Sequence, residues 1–230
     1  TGKTGAYGSI ILGTVSAGQQ VPSAIVLVPT RELANQVSEE LTKLSKYSGH
    51  VCIPIYGGAS IEGQIRKLEK GCDIIAGTPG RVRDMISRKV LNLSKITTLV
   101  LDEADRMLDM GFMEDIEYIL KAMPANRHTM LFSATMQENV KQLAFDYMHN
   151  PKEVSVSKDE VVLDLTKQYY ISVGRRNKSW ALCRILDIDK PKAIIFCQTK
   201  KMVDVLEERL TDLDYKVEAI HGDMPQSKRE

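Results

Sequence analysis

This chain predicts an α/β protein built on parallel sheets, and three observations carry that expectation. Short, continuous apolar runs alternate with stretches of helical periodicity along most of its length. The clearest run, Ala24 to Val28, shows no polar alternation, as expected of a strand covered on both faces. The runs also end repeatedly in compact Gly, Pro, Thr, Ser or acidic motifs, which places those motifs along one rim of one sheet. With 230 residues the chain can bury a sizeable core and form two domains.

Taken in order, Lys3 to Ala17 suits a helix that stops near Gly18, and Ala24 to Val28 is a strand broken by Pro29-Thr30. The next helix sets Leu33, Val37, Leu41 and Leu44 on one stripe. Val51 to Tyr56 is a strand closed by Gly57-Gly58, Ile61 to Lys70 a helix, and Asp73 to Ala76 a short strand closed by Gly77. Thr78-Pro79-Gly80-Arg81 opens another helix. Thr98 to Leu101 is a buried strand that runs into Asp102-Glu103. Phe112, Ile116, Ile119, Leu120 and Met123 form an apolar helical face, Thr129 to Phe132 is a strand, and Ser133-Ala134-Thr135 closes it before a helix that runs to Tyr147.

The alternation loosens at Asn150-Pro151. A last strand, Glu153 to Val156, ends a first domain over 1–156, a linker covers 157–164, and a second α/β unit occupies 165–230. In that unit Gln168 to Val173, Ala193 to Cys197 and Lys216 to Ile220 read as strands. Asn177 to Leu186 and a stretch striped by Val203, Leu206, Leu210 and Leu213 read as helices. His221-Gly222-Asp223 ends the third strand, and Glu230 falls in what reads as the start of a further helix.

With 43% apolar and 27% charged residues, the composition is that of an ordinary globular protein. The 31 basic and 30 acidic residues leave a net charge of +1, so any nucleic-acid surface has to be local. Cys52, Cys72, Cys183 and Cys197 are too far apart for a CxxC metal or redox motif and suit reduced thiols. There is no run of 18 apolar residues and no signal peptide. An intracellular, cytoplasmic setting without a membrane partner is therefore expected.

The chemistry concentrates at two places. A buried strand tolerates unpaired charge badly, so Asp102 and Glu103 must sit at its exit, where open parallel sheets bind ligands. One carboxylate there can hold a hydrated Mg²⁺ and the other can position or deprotonate a water. At the start of the chain, Gly2-Lys3-Thr4 closes the pattern of a phosphate-binding loop, where backbone amides and a helix N-terminus cradle phosphates. Each remaining rim motif taken singly also suits a helix cap or a turn. Turn chemistry, however, does not require them all to line one rim.

The ordered set resembles the DEAD-box family of ATP-dependent RNA helicases over essentially the whole chain. Asp102-Glu103-Ala104-Asp105 matches the family's namesake sequence, and Thr1 to Thr4 the end of its phosphate loop. Pro29-Thr30-Arg31-Glu32-Leu33, Gly57-Gly58, Thr78-Pro79-Gly80-Arg81 and Ser133-Ala134-Thr135 match its further motifs in order. Ile195 to Thr199 and His221-Gly222-Asp223, with Gln226 and Arg229, resemble the opening motifs of its second domain.

The resemblance implies two RecA-like parallel-sheet domains of the P-loop NTPase type, the second incomplete within these residues. It implies ATP as the nucleotide and Mg²⁺ as the metal. Thr1, Gly2, Lys3 and Thr4 would bind ATP, Thr4 and Asp102 the magnesium, and Glu103 would activate the attacking water, with Asp102 and Lys3 completing the catalytic group. Asp105, Ser133 and Thr135 would couple the nucleotide site to domain closure. Pro29, Thr30, Arg31, Gly58, Thr78, Pro79, Gly80, Arg81 and Asp84, with Thr199, Gly222 and Arg229 of the second domain, would bind the RNA sugar-phosphate backbone. Asp84 would accept from a 2′-hydroxyl. The expected activity is ATP-driven local duplex unwinding or remodelling of RNA–protein complexes. An ATP-gated RNA clamp and a DNA translocase of the same superfamily are the alternatives. The segment that reads adenine and the motif with the arginine finger are expected outside these 230 residues.

Overall fold

The structure is a computed structural model and describes residues 2–155, 167–189, 192–224 and 228. It divides into two compact units, Thr1–Ser155 and Val156–Glu230.

The first unit is a five-stranded, wholly parallel sheet with helices on both faces. Its strands are β1 (Ala24–Leu27), β2 (Cys52–Ile55), β3 (Ile74–Gly77), β4 (Thr98–Leu101) and β5 (His128–Leu131), in the order β2-β3-β1-β4-β5. The helices are α1 (Lys3–Thr14), α2 (Arg31–Leu44), α3 (Ile61–Glu69), α4 (Pro79–Ser87), α5 (Ala104–Asp109), α6 (Met113–Lys121) and α7 (Glu138–Tyr147). Each expected element of this unit up to Tyr147 is present, with its ends shifted by a few residues. Leu33 is only partly buried and Leu44, at the last turn of α2, is exposed; Ala34, Val37, Ser38 and Leu41 carry the buried stripe.

The reason for the uninterrupted apolar runs is visible in how β1 divides its side chains. Ile25 and Leu27 pack into one core with Val82, Met85, Met107, Ile116 and Ile119. Ala24, Val26 and Val28 pack into the other with Tyr7, Ile11, Val37 and Leu41. Both faces of the strand are covered, so neither tolerates a polar residue. Each fully buried aliphatic side chain contributes about 1.5–3 kcal/mol.

Register then builds the rim. Ala24 stands opposite Ile74 and Thr98, Cys52 opposite Ile74, and Thr98 opposite His128. All five strands therefore finish level, at Leu27, Ile55, Gly77, Leu101 and Leu131. The residues that follow them emerge side by side. Gly77 is required there by close approach: a Cβ would lie 2.6 Å from Val82 Cγ2 and 3.1 Å from the Ile55 carbonyl oxygen.

Asp73, absent from the expected functional residues, secures the opposite end of the sheet. It is fully buried, and its carboxylate accepts the Gln19 amide at 2.7 Å and the Val51 amide at 2.7 Å. Its own amide donates to the Val51 carbonyl, and its carbonyl accepts from Ser23 and Ala24. One residue thus ties together the entries to β1, β2 and β3.

The expected strand Glu153 to Val156 does not form over Glu153–Ser155, and Val156 lies outside the described residues. In the second unit a 3₁₀ turn (Arg175–Asn177) leads into α8 (Lys178–Asp189), and α9 (Lys200–Asp212) follows. The runs Gln168 to Val173, Ala193 to Cys197 and Lys216 to Ile220 carry no strand pairing among the described residues, and Tyr170 and Phe196 are more than nine-tenths exposed. β-Branched and aromatic composition favours extended backbone, but a strand needs a hydrogen-bonded neighbour, which composition does not supply. Tyr215 donates to Asp187 and so ties the segment after α9 to α8, and Ala219 donates to Glu207 at 2.8 Å. No helix among the described residues is long and apolar enough to cross a membrane.

Candidate functional site

The start of α1 is an open helix N-terminus. Gly2 takes φ 79° and ψ −9°, a left-handed conformation that suits glycine. No side chain caps the helix and its first turn holds no acid. Its first amides are therefore available to an anion, with Lys3 beside them. Thr1 lies outside the described residues.

The exit of β4 comes to the same place. Asp102 is only 8% exposed. One of its carboxylate oxygens accepts the Tyr7 hydroxyl at 3.1 Å and the other its neighbour Glu103's amide at 3.0 Å. Burial pushes the Asp102 carboxyl above its ordinary range, against the lowering effect of Tyr7, the Lys3 charge and the Glu103 amide. Burial likewise raises the Tyr7 phenol, so it remains a hydrogen-bond donor. The Tyr7 hydroxyl lies 3.4 Å from Thr4 Oγ1, which makes it the bridge between the start of α1 and the end of β4.

Glu103 differs from its neighbour in every respect. It sits at φ 52° and ψ 50°, left-handed backbone that costs a residue other than glycine energy. Its side chain is about one-third exposed and pairs with Arg106 at 3.2 Å. The turn thus leaves one carboxylate buried and the next open to water.

Asp105 links this turn to the one after β5. One of its carboxylate oxygens accepts both the Thr135 amide, at 2.9 Å, and the Thr135 hydroxyl, at 3.0 Å. The Ser133 hydroxyl oxygen accepts the Asp105 amide at 3.3 Å and donates to the Thr135 carbonyl at 2.7 Å. Burial opposes ionisation of Asp105, but the bonds from Thr135, Arg106 and Ser133 outweigh it and hold the carboxyl below its ordinary range.

Along the rest of the rim the residues expected to contact RNA are engaged with their neighbours. Thr30 follows Pro29 and caps α2, its hydroxyl accepting the Leu33 amide at 3.3 Å. Arg31 lies over the Tyr56 ring at 5.6 Å and pairs with Glu32. Gly58 has φ 79°, which a β-carbon would strain. Arg81 donates through two nitrogens to the Ala59 carbonyl, at 3.2 and 3.3 Å, and so pins the Gly57-Gly58 turn. Thr78 precedes α4 without capping it, Pro79 occupies its first turn, and Gly80 lies near Asp115 and Phe112. Asp84 is paired with Arg88 at 2.7 Å.

In the second unit, described by itself, Thr199 caps α9 through the Met202 amide. Gly222 stands between His221, paired with Asp204, and Asp223, paired with Lys200. Arg229 lies outside the described residues.

The structure therefore brings Lys3, Thr4, Asp102 and Glu103 to one locus, with Asp105, Ser133 and Thr135 adjoining it. Sequence reasoning missed Tyr7, Tyr56 and Arg106. Tyr7 carried a signal: a hydroxyl three residues after Thr4, on an otherwise apolar helix face with Ile11.

Comparison with known proteins identifies relatives of the chain. The DEAD/DEAH box helicase family matches residues 1–143, and the helicase conserved C-terminal domain matches residues 177–230. The DEAD-box ATP-dependent RNA helicase CshA of Bacillus cereus is 47% identical over 230 residues, covering 100% of this chain and 44% of the relative. CshA of Geobacillus kaustophilus is 48% identical, covering 100% of this chain and 49% of the relative. The chain thus spans about half the length of these curated relatives. The crystal structure of a DEAD box protein from the hyperthermophile Methanococcus jannaschii is 38% identical, with a TM-score of 0.66, covering 100% of this chain and 61% of that one.

Proposed function

Because the chain belongs to the DEAD/DEAH box helicase family, we propose that it is the ATP-hydrolysing, RNA-binding core of an RNA helicase, one that separates short duplexes through ATP-driven domain closure. The observation that carries this reading is the meeting of two segments 95 residues apart, where Tyr7 joins the phosphate-binding start of α1 to Asp102 at the end of β4.

The residues divide the work. The first amides of α1, with Gly2 and Lys3, bind and orient the phosphates of ATP, and Thr1 precedes them in the same motif. Thr4 and Asp102 supply a hydroxyl and one carboxylate, an oxygen donor set that fits Mg²⁺. Magnesium, when bound, neutralises phosphate charge. Glu103, open to water and next to Asp102, takes the proton of the attacking water, an assistance worth roughly 10²–10⁴ in rate. Asp105, Ser133 and Thr135 pass the state of that turn to the turn after β5.

RNA lies along the rim, held by Thr30, Arg31, Gly58, Thr78 and Gly80, with Arg81 acting through the Gly57-Gly58 turn that it pins and Pro29 and Pro79 shaping the helix starts. The starts of α2 and α4 suit phosphates and carry no base specificity, so binding follows the backbone. Asp84 offers a 2′-hydroxyl acceptor, and Thr199, Gly222 and Arg229 add contacts from the second unit.

The test is phosphate release by the complete protein with single-stranded RNA, single-stranded DNA or neither, beside strand displacement on a short RNA duplex. RNA-selective stimulation together with displacement is expected. Stimulation by DNA equal to that by RNA, or no nucleotide turnover at all, overturns the reading.

A further inference from the structure

We propose that Tyr7 is a positioning residue for divalent-cation binding, acting through Thr4 and Asp102; this rests on the nucleotide-site reading above. The hydrogen-bond directions are set by chemistry. Tyr7 has a single proton, and the Asp102 carboxylate, at 3.1 Å, is an acceptor only. The phenol therefore donates to Asp102. The longer contact, 3.4 Å to Thr4 Oγ1, is then satisfied by the threonine donating to the phenol oxygen. The relay runs from Thr4 through Tyr7 to Asp102. With its proton committed to Tyr7, the Thr4 hydroxyl keeps its lone pairs for a cation. With one oxygen held by Tyr7 and the other by the Glu103 amide, the Asp102 carboxylate is fixed in rotation but keeps free lone pairs.

The ring gives the hydroxyl its place. Tyr7 is fully buried and packs on Phe132 with ring centroids 5.4 Å apart at 56°. A fully buried tyrosine in this core needs only its ring for packing. Its hydroxyl instead satisfies a carboxylate that burial would otherwise leave with one partner.

The experiment measures binding of a fluorescent, non-hydrolysable ATP analogue to the complete protein as a function of Mg²⁺ concentration, and again in EDTA. Tyr7→Phe keeps the ring and removes the relay. It is expected to raise the Mg²⁺ midpoint about three- to tenfold, as for loss of one net hydrogen bond, with metal-free analogue affinity unchanged. Asp102→Ala is expected to abolish the Mg²⁺-dependent gain. A Tyr7→Phe midpoint equal to the parent's, with Asp102→Ala impaired, reduces Tyr7 to core packing and overturns the proposal. Parental Mg²⁺ dependence in Asp102→Ala instead overturns the nucleotide-site reading itself. A second measurement leaves the ring and hydroxyl intact: with 3-fluorotyrosine at position 7, the ¹⁹F resonance should shift when Mg²⁺ is added to analogue-bound protein. No shift overturns the proposal independently of how Tyr7→Phe folds.

Discussion

Thr135 donates twice to a single carboxylate oxygen of Asp105, from its amide at 2.9 Å and from its hydroxyl at 3.0 Å. The Ala104 amide also donates to the Phe132 carbonyl at 3.0 Å, so backbone and side-chain bonds both tie the turn after β4 to the turn after β5. Asp102 and Glu103 lie at the start of that linked segment and Ser133-Ala134-Thr135 at its end.

Breaking this link should uncouple hydrolysis from work. Ser133→Ala combined with Thr135→Ala is expected to spare ATP binding and much of the hydrolysis in the complete protein while reducing duplex separation. Asp105 also sets an acid dependence. Its folded-state pKa is depressed, so its stabilisation is present above the unfolded value and is lost as pH falls through the folded one. Melting temperatures recorded from about pH 5 to about pH 3 should fall less steeply for Asp105→Asn than for the parent. Parallel curves would remove Asp105 from that role.

The left-handed backbone of Glu103 separates its chemistry from its cost in stability. Glu103→Gln should bind ATP normally and lose roughly 10²–10⁴ in turnover. Glu103→Gly and Glu103→Ala should both lack turnover, but the glycine variant should be the more stable by about 1 kcal/mol, because only glycine occupies φ 52° without strain. Equal denaturation midpoints for the two would show that no strain is stored there.

Asp73 is the residue on which the far end of the sheet depends. Asp73→Ala leaves the Gln19 and Val51 amides without their acceptor in a dry site, at a cost of about 3 kcal/mol or more. Asp73→Asn, which keeps one acceptor, should lose about half as much. Urea unfolding measures both, and a loss under about 1 kcal/mol for Asp73→Ala would mean that water replaces the carboxylate.

Arg81 and Arg31 should separate by salt. Arg81 spends two of its donors on the Ala59 carbonyl, so it shapes the Gly57-Gly58 turn. Arg81→Met is expected to weaken single-stranded RNA binding with the salt dependence unchanged. Arg31→Met should weaken it and also lower the slope of log affinity against log salt by about 0.7, the single-strand value for one phosphate contact. Titrations at several salt concentrations decide between them, and a matching drop in slope for Arg81→Met would make it a phosphate ligand.

Much of this protein was legible in its residues alone. Ala24 to Leu27 and Thr98 to Leu101 are continuous apolar runs, and such runs report directly that both faces of a strand are buried. Asp102 and Glu103 had to leave the sheet where they do, because charge is expelled from a dry strand. Thr30 announced the start of α2, because caps are local chemistry. What only the tertiary structure decided is which distant groups meet. The Tyr7–Asp102 bond, Asp73 gathering Gln19 and Val51, and Arg81 reaching Ala59 depend on strand order and register. Periodicity does not encode either, since every parallel order satisfies the same pattern of burial. The runs at Gln168, Ala193 and Lys216 make the same point from the other side: extended composition is a property of a segment, but a strand is a property of a pair.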